Sequence, residues 1–546
     1  MREFQSALFI AVLLFGSAGL SLRGEPSPRA NAAIKMIVLD SPSPLIQIKI
    51  MVKTGAAADP IGYEGLAYLT ARLLLEGGYG DPQAPVTKEK LAEITRPWGS
   101  AAKPSVSVEK EVTTFSMVVP RDAFKSFNDQ VLSPLFTQPL FAEAELDRIR
   151  QETLQYVGSS VRFENVEMLG LLALDNYLHE GTAYGHLVQG SVQGLKAVTV
   201  EQVQRFYQTH YRTENLIVGL STKNPQINNL VQASLKNMGG SADGVLSSER
   251  PAIAPPRPIA GRHLVIISHP NTISTGLHAG FPIALKRGDK DYWALYVANV
   301  FLGAHRDSFG RLYNDFRQAR GYNYGDYSYL EWFADRTFNL FPPTNTPRRY
   351  QYFSLWIRPV AHEYAHHLLK AMTWQLEHFI RTGMTPEECE LAKNKAKVLY
   401  LNLAETSSRL LASKLDDAFY GIEDRGYLDT YLKSIDALTP EEINAAIKKY
   451  LQAENLKYII VTHKDWAERL RHDIANNRNA AGKNFKEYNI EFRVANGDTL
   501  WQFSKNKMAL VQLDKVWEQY WLNLAPENIR VVKAEQLFET RQWVTE

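Results

Sequence analysis

Gly65-Leu66-Ala67-Tyr68-Leu69-Thr70-Ala71-Arg72-Leu73-Leu74-Leu75-Glu76-Gly77-Gly78 decides how the rest of the chain is read. Leu66, Leu69, Leu73 and Glu76 recur at three- and four-residue spacing, which predicts an amphipathic helix, and Gly77-Gly78 supplies its stop. Before it, Met36–Leu39 and Ile46–Val52 read as strands, the second with clear alternation. After it come a polar helix around Thr87–Thr95, a strand pair at Ser105–Val108 and Thr113–Val119, and helices around Asp122–Leu132 and Ala142–Val157.

A repeat signals a second copy of this alternation. Thr199-Val-Glu-Gln-Val203 through Glu214-Asn215-Leu216 matches Thr439-Pro-Glu-Glu-Ile443 through Glu454-Asn455-Leu456 at a constant offset of 240 residues. Each copy reads as a Thr-capped helix with acidic residues in its first turn, leading into a hydrophobic strand. The Pro-rich segment 250–258 between them reads as an exposed linker. Beyond it, strands at His263–Ser268 and Thr272–Phe281 and a helix at Tyr292–Phe301 open the second half. The expected fold class is α+β. It has two homologous domains, 30–240 and 263–470, each a mostly antiparallel sheet covered by helices, facing each other as a clam. They are joined by a linker at 241–262 and followed by an extension, 471–546.

The chain of 546 residues is 45% hydrophobic and 22% charged, ordinary for a globular protein, and its net charge of +2 gives no electrostatic footprint for nucleic acid. Arg2, the apolar run 7–15 and the small residues Gly16-Ser17-Ala18-Gly19 read as an export signal ending near residue 24. That run is short for a stable membrane span; an uncleaved anchor is the alternative. Cys389 is the single cysteine, so neither an intramolecular disulfide nor a lipid-modified cysteine after the leader is available. A bacterial periplasm is the expected compartment.

The frame of 65–78 resembles the pitrilysin/insulinase-type (inverted-zincin) metallopeptidases, whose signature helix runs Gly-Leu-Ala-His-x-x-Glu-His. Tyr68 and Arg72 stand at the two zinc-binding histidines and Ala71 at the glutamate base, so the frame is kept and its chemistry is missing. The resemblance places the family's third ligand, a glutamate some seventy to eighty residues on, at Glu152. It matches Ala183-Tyr-Gly-His186 to the family's His-Pro-Tyr-Gly loop, and His179 and His186 are taken as structural. It also matches Arg317 and Tyr324 to the arginine and tyrosine that hold the substrate backbone in family enzymes.

The second half contains a literal His362-Glu363-Tyr364-Ala365-His366, the zinc signature of thermolysin-type proteases. On a helical projection Ala361, Ala365, Leu368, Met372 and Phe379 form the core stripe, which turns His362 and His366 towards solvent. No third ligand is evident, so this run is read as a solvated face rather than a metal site. In the tail, Phe492–Trp501 resembles the opening of a LysM glycan-binding module, whereas Asp514–Glu539 resembles the closing segment of some bacterial members of the peptidase family.

The resemblance therefore implies a zinc-free, non-catalytic subunit that pairs with an active homologous metallopeptidase and helps enclose a chamber for peptide substrates. No cofactor is expected here, with zinc confined to the partner. Arg72 is expected to replace the metal's positive charge by forming a desolvated pair with Glu152. Two other readings stand beside it: an active zinc protease using His362, Glu363 and His366, and an envelope scaffold binding glycan through its tail.

Overall fold

The computed structural model describes residues 34–239, 253–334, 338–478, 480, 482 and 509–544. The leader, part of the linker and the Phe492–Trp501 stretch lie outside these residues.

Two sheets share one plan. The first contains β1 (Lys35–Leu39), β2 (Leu45–Val52), β3 (Ser105–Val108), β4 (Thr113–Pro120) and β5 (Leu216–Ser221), in the order β1-β5-β2-β4-β3. The second contains β6 (His263–His269), β7 (Thr275–Ile283), β8 (Asp326–Tyr329), β9 (Gln351–Val360), β10 (Lys457–His463) and β11 (Ile529–Lys533), in the order β11-β6-β10-β7-β9-β8. Without β11 the two orders are the same. In each, the first strand pairs parallel with the last (β1 with β5, β6 with β10) and the remaining pairs are antiparallel.

The repeat seen in the sequence marks the same step in both halves. Thr199 and Thr439 each close a capping box, with Gln202 and Glu442 reaching back to the capping backbone N–H, and the helices Val200–His210 and Pro440–Tyr450 lead into β5 and β10. The fold is α+β in two like halves, as expected.

The halves cover each other. The Val166–Leu178 helix of the first half lies on β7 and β10, and its Leu169, Leu174 and Leu178 join one core cluster with Val265, Ile267, Ile459 and Val461 of the second sheet. Gly170 permits the approach, since a Cβ there would stand 2.3 Å from the His278 ring. Reciprocally, the Ser407–Tyr420 helix of the second half packs on β1, β2 and β5, with Leu411, Leu415 and Phe419 against Met51 and Ile217. Each sheet thus has one face closed by the other half's helix.

Three expectations need correction. The helix around Asp122–Leu132 is broken into Phe124–Phe127, a π turn at Asn128–Leu132 and Ser133–Thr137. The linker is not wholly exposed, because Ile253 is buried with Ala57 and Tyr184 at the seam between the halves. The tail is no appendage over its described part. Trp517 is fully buried in the second core, β11 extends the second sheet, and the chain then returns to the first half. There Val192 and Gln193 donate backbone hydrogen bonds to Phe538 and Glu539 (3.0 and 2.9 Å), Arg162 pairs with Glu539 (2.7 Å), and Trp543 packs on Tyr177.

Candidate functional site

The Leu66–Glu76 helix starts at Gly65, which has a φ of 105° and lies against the Gln189–Gly190 backbone. Asp59 caps it, with Oδ2 accepting from the Gly65 N–H and Oδ1 from the Ala67 N–H, both at 2.7 Å. Burial pushes the Asp59 carboxyl up to about 7 against the pull of those hydrogen bonds. Ala71 is fully buried in the core, while Tyr68, Arg72 and Glu76 form the half-buried stripe. Across from it the Glu143–Gln155 helix presents Glu145, Arg148 and Glu152, which share a face at three- and four-residue spacing.

These side chains form one network. Arg72 donates from Nε and Nη2 to Glu76 Oε1 (2.9 and 2.7 Å) and from Nη2 to Glu152 Oε2 (3.0 Å). Arg148 reaches Glu145 Oε2 (2.8 Å), Glu152 Oε1 (2.6 Å) and Glu76 Oε2 (2.7 Å), and Lys88 Nζ reaches Glu76 Oε2 (2.6 Å). Three cations thus meet three carboxylates. Burial works to raise the Glu76 carboxyl, but hydrogen bonds from Lys88, Arg148 and Arg72 prevail and hold it at about 2. The hydrogen bond from Arg72 likewise lowers Glu152.

The Arg72–Glu152 pair expected from the sequence is therefore present, with one correction. It is not desolvated, because the Glu152 side chain is 49% exposed, and Arg148 shares the carboxylate. The sequence reading also missed Glu76, which it counted only as a member of the helix stripe. A zinc ion does not fit this donor set. Tyr68 offers a neutral phenol and Arg72 a permanent cation, and both carboxylates that could ligate are occupied by guanidinium and ammonium groups. Among the described residues no group of three or more His, Cys, Asp or Glu could hold a metal ion.

Arg317 and Tyr324 come together. The Arg317 guanidinium lies over the rings of Tyr324 (5.2 Å) and Tyr313 (4.8 Å), and Tyr324 is 74% exposed. Tyr324 borders a cavity of about 300 Å³ between the halves, beside Glu164 and Asn165, just past the helix that carries Glu152. Glu167 and Arg358 bridge the halves at this point (2.7 and 3.1 Å). Neither Arg317 nor Tyr324 shares a hydrogen bond or ion pair with Arg72 or Glu152 among the described residues.

The His362–His366 run is placed differently from its helical projection. His362–Tyr364 form a 3-10 turn and the α-helix begins only at Ala365, so the two histidines do not share a helix face. His362 Nδ1 meets the Thr275 and Thr462 hydroxyls (2.9 and 3.2 Å), and its ring stacks on Trp466. His366 is buried rather than solvated, and burial pushes its imidazole down to about 3. Glu363 is exposed on the turn. His179 and His186 are both buried, each with Nδ1 on a backbone carbonyl at 2.8 Å.

A second charged site escaped the sequence reading. Asp175 accepts from Arg348 Nη1 (2.7 Å), with Lys110 Nζ 3.8 Å away, all three essentially buried between the halves. Burial would raise Asp175, but Arg348, His179 and Lys110 hold it far below the usual carboxylate range. Beside it Glu111 accepts from Arg349 N–H and Nε (2.6 and 2.5 Å). Glu109-Lys110-Glu111 and Arg348-Arg349 carry no motif that singles them out in the sequence. Glu109, Lys110, Asp175 and Arg348 border a cavity of about 460 Å³ at the seam.

Comparison with known proteins gives a consistent picture. Residues 197–396 match the family described as "Peptidase M16 inactive domain". An uncharacterized zinc protease of Streptomyces coelicolor is 27% identical over 301 residues, 53% of this chain and 60% of that protein. One from Mycobacterium tuberculosis is 27% identical over 274 residues, 49% of this chain and 56% of that protein. The match thus spans a little over half the length of these relatives. Among solved structures, the peptidase M16 inactive domain from Pseudomonas fluorescens aligns with a TM-score of 0.64 at 21% identity, covering 80% of this chain and 97% of that one. A protease from Helicobacter pylori aligns with a TM-score of 0.67 at 13% identity, covering 79% and 99%.

Proposed function

We propose that this chain, a peptidase M16 homologue carrying the family's inactive domain on its two-half fold, is the non-catalytic member of a two-chain peptidase. The observation that carries this reading is the Arg72–Glu152 contact. A guanidinium ties together the two helices at the positions where the resemblance places metal ligands. At the position where the resemblance places the base, no side chain can activate a water, since Ala71 is a buried methyl group.

The packing of the halves supports a second chain. Their facing sheets are already covered by the Val166–Leu178 and Ser407–Tyr420 helices, and the seam cavities of about 460 and 300 Å³ hold only a few side chains. A peptide chamber of useful length then requires a wall from another molecule. In this reading the wall belongs to an active, zinc-bearing homologue, and the exposed Tyr324, with Arg317 behind it, is offered to the peptide. The apolar run 7–15 supports a periplasmic site for the pair. Among the described residues no helix is long and apolar enough to cross a membrane.

The test is metal content by mass spectrometry and peptide hydrolysis on the mature chain, alone and mixed with a zinc-bearing homologue from the same cell. The expected result is no stoichiometric zinc and no hydrolysis alone, with co-purification and faster hydrolysis in the mixture. One tightly bound zinc per chain, lost together with hydrolysis on His362→Ala, would overturn the reading in favour of the second-half motif.

A further inference from the structure

The degenerate site lies between the helix that follows β2 and the Glu143–Gln155 helix. By element order their counterparts in the second half are Tyr292–Gly303, which follows β7, and Pro386–Leu403. Between this second pair, and against the end of β8, the structure has a pocket of about 340 Å³. Its walls are aromatic: Tyr292, Tyr296, Tyr329, Phe333, Phe341 and Tyr427. Leu340 and Val398 stand at the rim, 60% and 55% exposed.

Two of the cations around it are already matched. Arg287 Nε pairs with both Glu331 oxygens at 3.1 Å, and Lys395 with Asp307 at 2.6 Å. Two neutral groups in the lining are not. Ser328 is 1% exposed and its Oγ finds no hydrogen-bond partner among the described residues, and neither does Asn299 Oδ1. They are neighbours, because Asn299 Nδ2 donates to the Ser328 carbonyl (3.2 Å). Leaving buried polar atoms unpaired is costly, so a ligand that supplies their partners gains on both counts.

We propose that this pocket binds the phenol side chain of a tyrosine presented by a peptide. The aromatic walls take the ring. The hydroxyl donates to Asn299 Oδ1 and accepts from Ser328 Oγ, satisfying an acceptor and a donor with one group. An aliphatic or plain phenyl group leaves both polar atoms unpaired. The proposal is independent of the pairing reading above, because it concerns the half that carries no degenerate metal frame.

The full chain, titrated by NMR with N-acetyl-tyrosinamide and N-acetyl-phenylalaninamide, tests it. Tyrosinamide is expected to bind at least about fivefold more tightly, the lower end of what leaving a buried polar group unpaired costs. Val398→Trp, a change at an exposed rim position, is expected to plug the pocket and abolish binding of both probes. Ser328→Ala is expected to keep binding but reduce the preference, since Asn299 Oδ1 still accepts from the hydroxyl. Equal affinities for the two probes, no binding of either, or binding untouched by Val398→Trp would overturn the assignment.

Discussion

Replacing Glu76 by Gln keeps the shape of the side chain and removes the carboxylate on which Lys88, Arg148 and Arg72 converge. The Glu76 carboxyl is held at about 2 instead of 4.5. At 1.36 kcal/mol per unit this displacement corresponds to about 3 kcal/mol, and solvent screening of Lys88 and Arg148, each about a third exposed, brings the expected loss nearer to about 2 kcal/mol. With both halves unfolding together, the unfolding entropy of a unit of this size turns that loss into a drop of about 2 °C in the thermal midpoint. The pH dependence fixes the cause. A carboxyl depressed in the folded state stabilises it above its unfolded value near 4.5, and the contribution is lost as pH falls from there through about 2. Calorimetry of both proteins from pH 7 down to pH 3 should show the difference at its full size at neutrality and shrinking on acidification. A difference below about 0.5 kcal/mol at pH 7, or one that does not change with pH, would refute the network as a source of stability.

Further outcomes are expected. Arg72→Ala should cost only about 1 kcal/mol by thermal melting, since Lys88 and Arg148 still serve Glu76 and Arg148 still serves Glu152; a loss of about 3–5 kcal/mol would show a desolvated pair after all. Arg348→Met leaves Asp175 with His179 and the more distant Lys110 but without its close guanidinium, so a loss of about 3–5 kcal/mol is expected in the same assay, largely recovered by adding Asp175→Leu. His366, neutral in the core with its imidazole pushed down to about 3, makes the fold less stable as pH falls below its unfolded value of 6.5; His366→Leu should flatten the melting profile between pH 6.5 and 4.

What could be read in advance was what repeats locally. The apolar spacing of residues 66–76, the alternation of β2 and the capping threonines at 199 and 439 each act within a few residues, and the structure has each where the pattern put it. The likeness of the halves followed from the constant register of the two threonines. Burial decided over distance was not legible. Lys110, Asp175 and Arg348 are charges that only their mutual pairing allows inside, and that pairing joins residues 173 positions apart between Arg348 and Asp175. His366 went wrong because of what covers it: the helix is buried all round from Ala365 to Thr373, where the distant tail packs against it through Trp517 on His367 and Glu518 on Lys370. The five-residue β11 carried too little pattern to be seen as a strand, although its pairing with β6 ties the tail to both halves.

The exchange of the Val166–Leu178 and Ser407–Tyr420 helices has a consequence for how the chain is made. The first of these helices is complete long before β7 and β10, the strands it rests on, have been synthesised. Until then Leu169, Leu174 and Leu178 have no sheet to cover them, and β5 waits still longer for Leu411 and Leu415. Such distant contacts make for slow folding and a sticky nascent chain. Neither half is a self-sufficient folding unit, so a chain cut at the linker is expected to need a holding chaperone, and the two fragments to regain the native state only when they refold together.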